Sequence, residues 1–401
     1  MSIPFQPQER DRRADELLGE FPRQLFVDPF YAACELVDRY SLEWALEIAQ
    51  ALDFPRTSLP EFRVEDLQQT FHVGSEWVPT LTWLLDRLSM GGSLERQPGS
   101  AVTYRLCGPL RAPEREPLQA MARELGCGLS RTLALFDAAG QIWASVLRGE
   151  CRAEDWLFAP QRIGLWVDYF HNENRTYAIS NDLTALAAVH RLPRERTWRV
   201  LEVGAGAGSA TLSFLETMER LGQLESIESF WVTEPATFFR RRAERELRHR
   251  FPSLPFEFRP LDIDDAFPPQ GLSGVFDLVF GVNVFHVAKN VSLALRHVRQ
   301  VLKPGGWLVA GECFRLFPGQ PVPAELVFQL LRSFREVELD PILRPAPGFL
   351  LPESWIQLFE AAGLQEVAVL PDLRKMREFY PRFFSGVIVG REPNDASEAG
   401  R

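Results

Sequence analysis

The 401-residue chain sets 54 acidic against 44 basic side chains, a net charge of −10, and is 46% hydrophobic and 24% charged. Those proportions are globular, the length exceeds what one small core needs, and the negative balance argues against a partner made mostly of phosphate backbone. The scattered cysteines Cys34, Cys107, Cys127, Cys151 and Cys313 lack the close spacings of zinc or redox sites, and no apolar run nears the roughly 20 residues that span a bilayer.

The opening MSIPFQPQERDRRADELL has no apolar stretch behind its charges, so a cytoplasmic setting with reduced thiols is expected, without membrane or nucleic-acid partners. AACELVDRYSLEWALEIAQAL, EFRVEDLQQTF and SEWVPTLTWLLDRLSM repeat apolar residues at helical spacing, and SAVTYRLCG alternates like a strand. That order suggests a winged-helix-like domain over residues 1–113. Its candidate recognition helix, Ser75 to Met90, carries Arg87 as its one cation beside Glu76 and Asp86. So poor a charge argues for a lid or dimerisation role, with a homodimer as one expectation, rather than for DNA.

A second helical stretch forms a cap over residues 114–190 and ends in the linker RLPRERT. Over residues 191–401 strands and helices alternate: WRVLEV, ATLSFLETMERL, SFWVTE, TFFRRRAERELRHRF, VFDLVFG, VSLALRHVRQVL and WLVAGE, followed by helix PESWIQLFEAAG and strands EVAVL and FFSGVIVG. The alternation predicts an α/β, Rossmann-like, mostly parallel sheet with helices on both faces. In TFFRRRAERELRHR, Glu244 and Glu246 interleave with the arginines, which reads as a solvated, self-paired face.

LEVGAGAGSATLSFL runs from an apolar strand through Gly204, Gly206 and Gly208 straight into a helix, a spacing that lets backbone approach a ligand closely. A dinucleotide site wants Gly or Ala where this chain has Ser209. The acid before the glycines, Glu202, would be idle beside a pyrophosphate but can interact, directly or through water, with a methionine ammonium. Glu234 ends the next strand, where a carboxylate accepts hydrogen bonds from ribose hydroxyls. Asp262 and Ile263 follow a third short strand and would flank an adenine, with Asn283 a further contact. Asp262, Asp264 and Asp265 have no neighbouring His to support a metal site, so none is expected.

These residues, with LKPGGWLVAGE, resemble the class I S-adenosylmethionine-dependent methyltransferase family, and the resemblance implies S-adenosylmethionine as cofactor. VLRGECRAEDWLFAP, LDIDDAFPPQGLSGVFDLVFGVNVFHVAKN and LRHVRQVLKPGG are similar to the methyltransferase domains of polyketide synthases, from about Val146 to Phe314. The N-terminal part looks more like the winged-helix domain of small-molecule O-methyltransferases.

Methyl transfer from a sulfonium mainly requires that the nucleophile be oriented and deprotonated. His286 follows the strand FDLVFGVNV at the sheet edge that binds ligands, and Glu312 ends the next strand, within reach to orient its imidazole. Polyketide-synthase methyltransferases similar to this chain use such a pair. The winged-helix O-methyltransferases place a Trp and an acid after the His, where this chain reads HVAKN. The acceptor is expected under the insertion FRLFPGQPVPAELVFQLLRSF and the cap, with Tyr169, His171, Tyr177 and Asn181 as contacts. The expected reaction is methylation of a hydroxyl or enol oxygen of a polyketide-like small molecule, free or carrier-bound. C-methylation of a β-keto carbon is the alternative, and a non-catalytic cofactor-sensing regulator the rival of another class.

Overall fold

The computed structural model describes residues 17–54, 61–97, 102–193, 196–267 and 275–394. The N-terminal half is helical: α1 (Asp28–Ala51), α2 (Val64–Phe71) and α3 (Val78–Met90), an antiparallel hairpin of β1 (Leu94–Gln97) and β2 (Thr103–Leu106), then α4 (Arg115–Leu125), α5 (Leu129–Gly140), α6 (Ile163–Tyr169) and α7 (Arg175–Arg191). Apolar stripes at helical spacing bury Leu81, Leu84, Leu85 and Leu88 of α3 against Tyr40, Trp44 and Ile48 of α1 in one core.

From α7 the chain alternates strand and helix: β3 (Trp198–Val203), α8 (Ser209–Arg220), β4 (Ile227–Thr233), α9 (Thr237–Arg250), β5 (Phe256–Arg259), β6 (Phe276–Val282), α10 (Val291–Arg299), β7 (Leu302–Cys313), α11 (Pro352–Ala361), β8 (Gln365–Leu370), α12 (Leu373–Phe379) and β9 (Ser385–Arg391). The seven strands lie in the order β5-β4-β3-β6-β7-β9-β8. Strands β3 to β7 are parallel, whereas β9 runs antiparallel to both β7 and β8. The order reverses between β3 and β6, and an open α/β sheet binds ligands beyond the carboxyl ends of its strands at such a switch point.

Two hydrophobic cores meet at that edge. One is centred on the sheet; the other joins α1, α3, α5 and α6 to the segment between β7 and α11. The backbone of this segment is bonded to the helical layer: the Trp83 indole donates to the Val322 carbonyl at 3.0 Å, Trp143 to Leu326 at 2.6 Å, and the Thr80 hydroxyl to Gln329 at 3.2 Å. Helix α1 belongs to both cores, since Phe30 and Tyr31 pack with the sheet and Tyr31 stacks on Tyr380 at 3.7 Å between ring centroids. Among the described residues no helix is long and apolar enough to cross a membrane.

Candidate active site

Between the two cores lies a cavity of about 460 Å³, bounded below by the carboxyl ends of β3, β4 and β6 and above by α6 and the segment after β7. The β3–α8 turn forms its floor. Gly204 and Gly206 line the cavity, both at positive φ, 66° and 54°, and a Cβ on Gly206 would meet nothing within 4 Å. A side chain there would project into free space a ligand could use. Gly208 does not line it. It caps α8, and a Cβ there would press on Ala243 of α9 at 3.2 Å, so that glycine serves helix packing rather than the ligand.

Glu234, one residue beyond β4, lines the cavity, its Oε2 accepting from the Gly206 N–H at 3.0 Å and Oε1 from the Ala236 N–H at 2.9 Å. Burial pushes its carboxyl above the ordinary range, while those two N–H groups oppose the shift. Asp262, Ile263 and Asn283 join it on the wall. Asn283 adopts φ 54° and its buried Oδ1 has no partner among the described residues. Glu202 lies behind the wall at 1% exposure; its Oε2 accepts from the Thr211 hydroxyl, and Oε1 is buried without a partner among the described residues. Burial, with the nearby Glu234 adding to it, pushes this carboxyl up to about 8.

His286 follows β6 in a single 3-10 turn, and its Nδ1 lies 2.6 Å from Oε2 of Glu312 on β7. Glu312 is fully buried and its Oε1 accepts from the Phe285 N–H at 2.8 Å, so both carboxylate oxygens are fixed. With Nδ1 engaged, Nε2 is the nitrogen left for the cavity that His286 lines. The ring packs against Phe349 and Phe334, at 4.8 and 5.8 Å between centroids. Behind it, buried Arg344 donates to the carbonyls of Ala288, at 2.8 Å, and His286 itself. Arg344 was not legible in the sequence: it sits in an irregular loop 58 residues from His286, with no periodicity to mark it.

Of the expected acceptor contacts, Tyr169 and Tyr177 line the cavity, with Val322, Pro323 and Phe328 of the insertion. His171 and Asn181 do not. His171 is exposed, with Nδ1 accepting from the Glu173 N–H, because α6 ends at Tyr169 and the chain turns outward. Asn181 is fully buried within α7, donating to Asn172 at 2.8 Å. Among the described residues no three His, Cys, Asp or Glu side chains gather as metal ligands.

S-adenosylmethionine fits these groups. Glu234 and Asp262 at successive strand ends, the open space at Gly206 and the orphaned oxygen of Asn283 offer acceptors for hydroxyl and ammonium groups, with Glu202 behind that wall. Strand order, glycine turn and strand-end acids are those of the Rossmann-like class I methyltransferase fold. Residues 201–308 match a family described as methyltransferase domain.

More particularly, the chain is similar to polyketide-synthase methyltransferases. It is 30% identical over 183 residues to the highly reducing polyketide synthase acrA of Aspergillus aculeatus, covering 44% of this chain and 7% of that one. It is 27% identical over 242 residues to the polyketide synthase PksM of Bacillus subtilis, covering 59% and 6%. The chain thus spans less than a tenth of the length of these relatives. Among solved structures, the CurJ carbon methyltransferase superposes with TM-score 0.77 at 22% identity, over 97% of this chain and 99% of that one. The DszA carbon methyltransferase follows at TM-score 0.70, 24% identity and 98% of both chains. The CMeT domain of the citrinin polyketide synthase gives 0.67, 16% and 96% of both.

Proposed function

We propose that this protein methylates an acidic carbon of a polyketide-like β-keto acyl group, free or carrier-bound, with His286 and Glu312 acting as one base. The observation that carries this reading is the buried 2.6 Å contact between the two, set in the wall of the cavity that holds the glycine turn. Glu312 holds the Nδ1–H and stabilises the imidazolium formed when Nε2 takes a proton. The Phe285 N–H keeps the carboxylate from turning away, and Arg344 fixes the backbone of the turn that carries the ring.

Bound S-adenosylmethionine supplies an electrophilic methyl group on a sulfonium whose leaving group departs neutral. The protein's own task is to strip the α-proton and hold the resulting enolate out of water. Phe328, Phe334, Phe349 and Val322 make the wall beside His286 largely hydrocarbon, which suits an uncharged keto-thioester chain. Likeness to chains named carbon methyltransferases supports carbon over the oxygen acceptor expected from the N-terminal pattern. A purely cofactor-sensing protein would leave a fully buried acid–imidazole pair without a task.

The test separates proton abstraction from methyl transfer. In D2O, with S-adenosylhomocysteine present, the protein should accelerate exchange of the α-protons of a β-keto acyl thioester, and His286→Gln should not. Exchange no faster than in buffer would overturn the reading.

A further inference from the structure

Among the described residues, Arg382 is the one Arg or Lys that lines the cavity. Its Nε lies 3.0 Å from Asp38 Oδ2, while Asp38 Oδ1 is engaged by Arg87 Nη1 at 2.9 Å. Arg87 is 2% exposed and Asp38 11%, so one buried carboxylate faces two guanidinium groups, leaving an excess positive charge. The Arg382 side chain is 32% exposed, and its two terminal nitrogens have no hydrogen-bond or ion-pair partner among the described residues. Beside it the hydroxyls of Ser180 and Ser385, 3.1 Å apart, also line the cavity, and Phe30, Val37 and Phe383 supply the surrounding apolar wall.

The position of this cation in the sheet gives it meaning. Glu234 and Asp262, the carboxylates on the cavity wall, follow β4 and β5 at one side of the sheet, whereas Arg382 immediately precedes β9 on the other. His286 and Glu312, after β6 and on β7, lie between them. The cavity therefore runs from an acidic end, suited to a cationic sulfonium ligand, past the base to a cationic end.

We propose that Arg382 forms an anion subsite at the acceptor end of the cavity, binding a phosphate or carboxylate that the acceptor carries remote from its methylated carbon. A planar guanidinium whose Nε is already anchored presents its remaining N–H groups in a fixed orientation, which suits either oxyanion. The inference rests on the proposed acceptor class, but its test is a binding measurement and does not need turnover.

Calorimetry on protein loaded with S-adenosylhomocysteine compares two probe pairs: 4′-phosphopantetheine with pantetheine, and a β-keto acyl pantetheine ending in a carboxylate with its methyl ester. At least one anionic probe should bind about tenfold tighter than its neutral counterpart, the worth of one charge-assisted hydrogen bond. Which pair shows the gain identifies phosphate or carboxylate. Arg382→Gln should erase the gain, and Arg382→Lys, which keeps the charge, should retain part of it and so exclude a folding artefact. Equal binding within both pairs, or a gain that survives Arg382→Gln, would overturn the subsite. An Arg382-dependent gain without α-proton exchange would instead overturn the acceptor reading and leave the subsite standing.

Discussion

His286 stands 3% exposed, bonded to a carboxylate that is itself fully buried, so neither group has water to substitute for the other. Replacing His286 by Gln should lower kcat by about 10²–10⁴ while cofactor affinity holds, the range general-base catalysis contributes. Glu312→Gln should be milder, and the double variant no worse than His286→Gln, because residues acting as a unit are not additive. Steady-state kinetics on the four proteins checks this.

Glu202 yields a pH dependence. Its carboxyl sits at about 8 against an ordinary 4.5, because burial disfavours the charged form. A folded value above the unfolded one means that this group's stabilisation is complete below about 4.5 and is lost as pH rises through 8. An ammonium brought beside it favours the carboxylate, so cofactor binding at neutral pH should release a proton. Binding enthalpy should therefore vary with the ionisation enthalpy of the buffer in wild type and not in Glu202→Gln; buffer-independent heats in wild type would contradict it.

Both members of the dyad were legible in the sequence because each falls at a strand end with a fixed place in the sheet. His171 falls outside the cavity because helical spacing does not say which way a chain turns once α6 stops, and Asn181 because in α7 its neighbours Tyr177 and Ser180 take the positions facing the cavity.

Strand β7 lies so close to α7 that a Cβ on Gly311 would meet the Thr184 hydroxyl at 1.9 Å and the Ser180 carbonyl at 3.2 Å. Gly311→Ala should cost about 1–3 kcal/mol of stability, as overpacking does, measured by urea unfolding. Loss of activity beyond the unfolded fraction is also expected, since Glu312 is the next residue. The parallel strands β3, β4, β6 and β7 could be read from their apolar runs, whereas β1 (LERQ) could not, being polar and defined only by pairing with β2. The basic helix α9 was half legible: Arg248 pairs with Glu244 at 3.0 Å, but among the described residues Arg241, Arg242 and Arg245 face no carboxylate within ion-pair distance.

The two cores explain why the site is closed on top. Trp83, Trp143 and Thr80 tie the segment after β7 to the helical layer, so cap and insertion form one roof over a sheet that supplies the floor. A pattern of local periodicities shows that an insertion exists, but its docking depends on contacts about 180 to 250 residues apart, which no local signal encodes. With a protein base in place, turnover should be unaffected by EDTA; inhibition reversed by magnesium would return Asp262, Asp264 and Asp265 to consideration as ligands. The proposed methyl transfer to carbon is tested by locating the methyl group in the product. With S-adenosylmethionine carrying a ¹³C-methyl and a β-keto acyl thioester, carbon NMR should show the label bonded to the α-carbon, coupled to its remaining proton. A label found on oxygen, as an enol ether, would contradict carbon methylation.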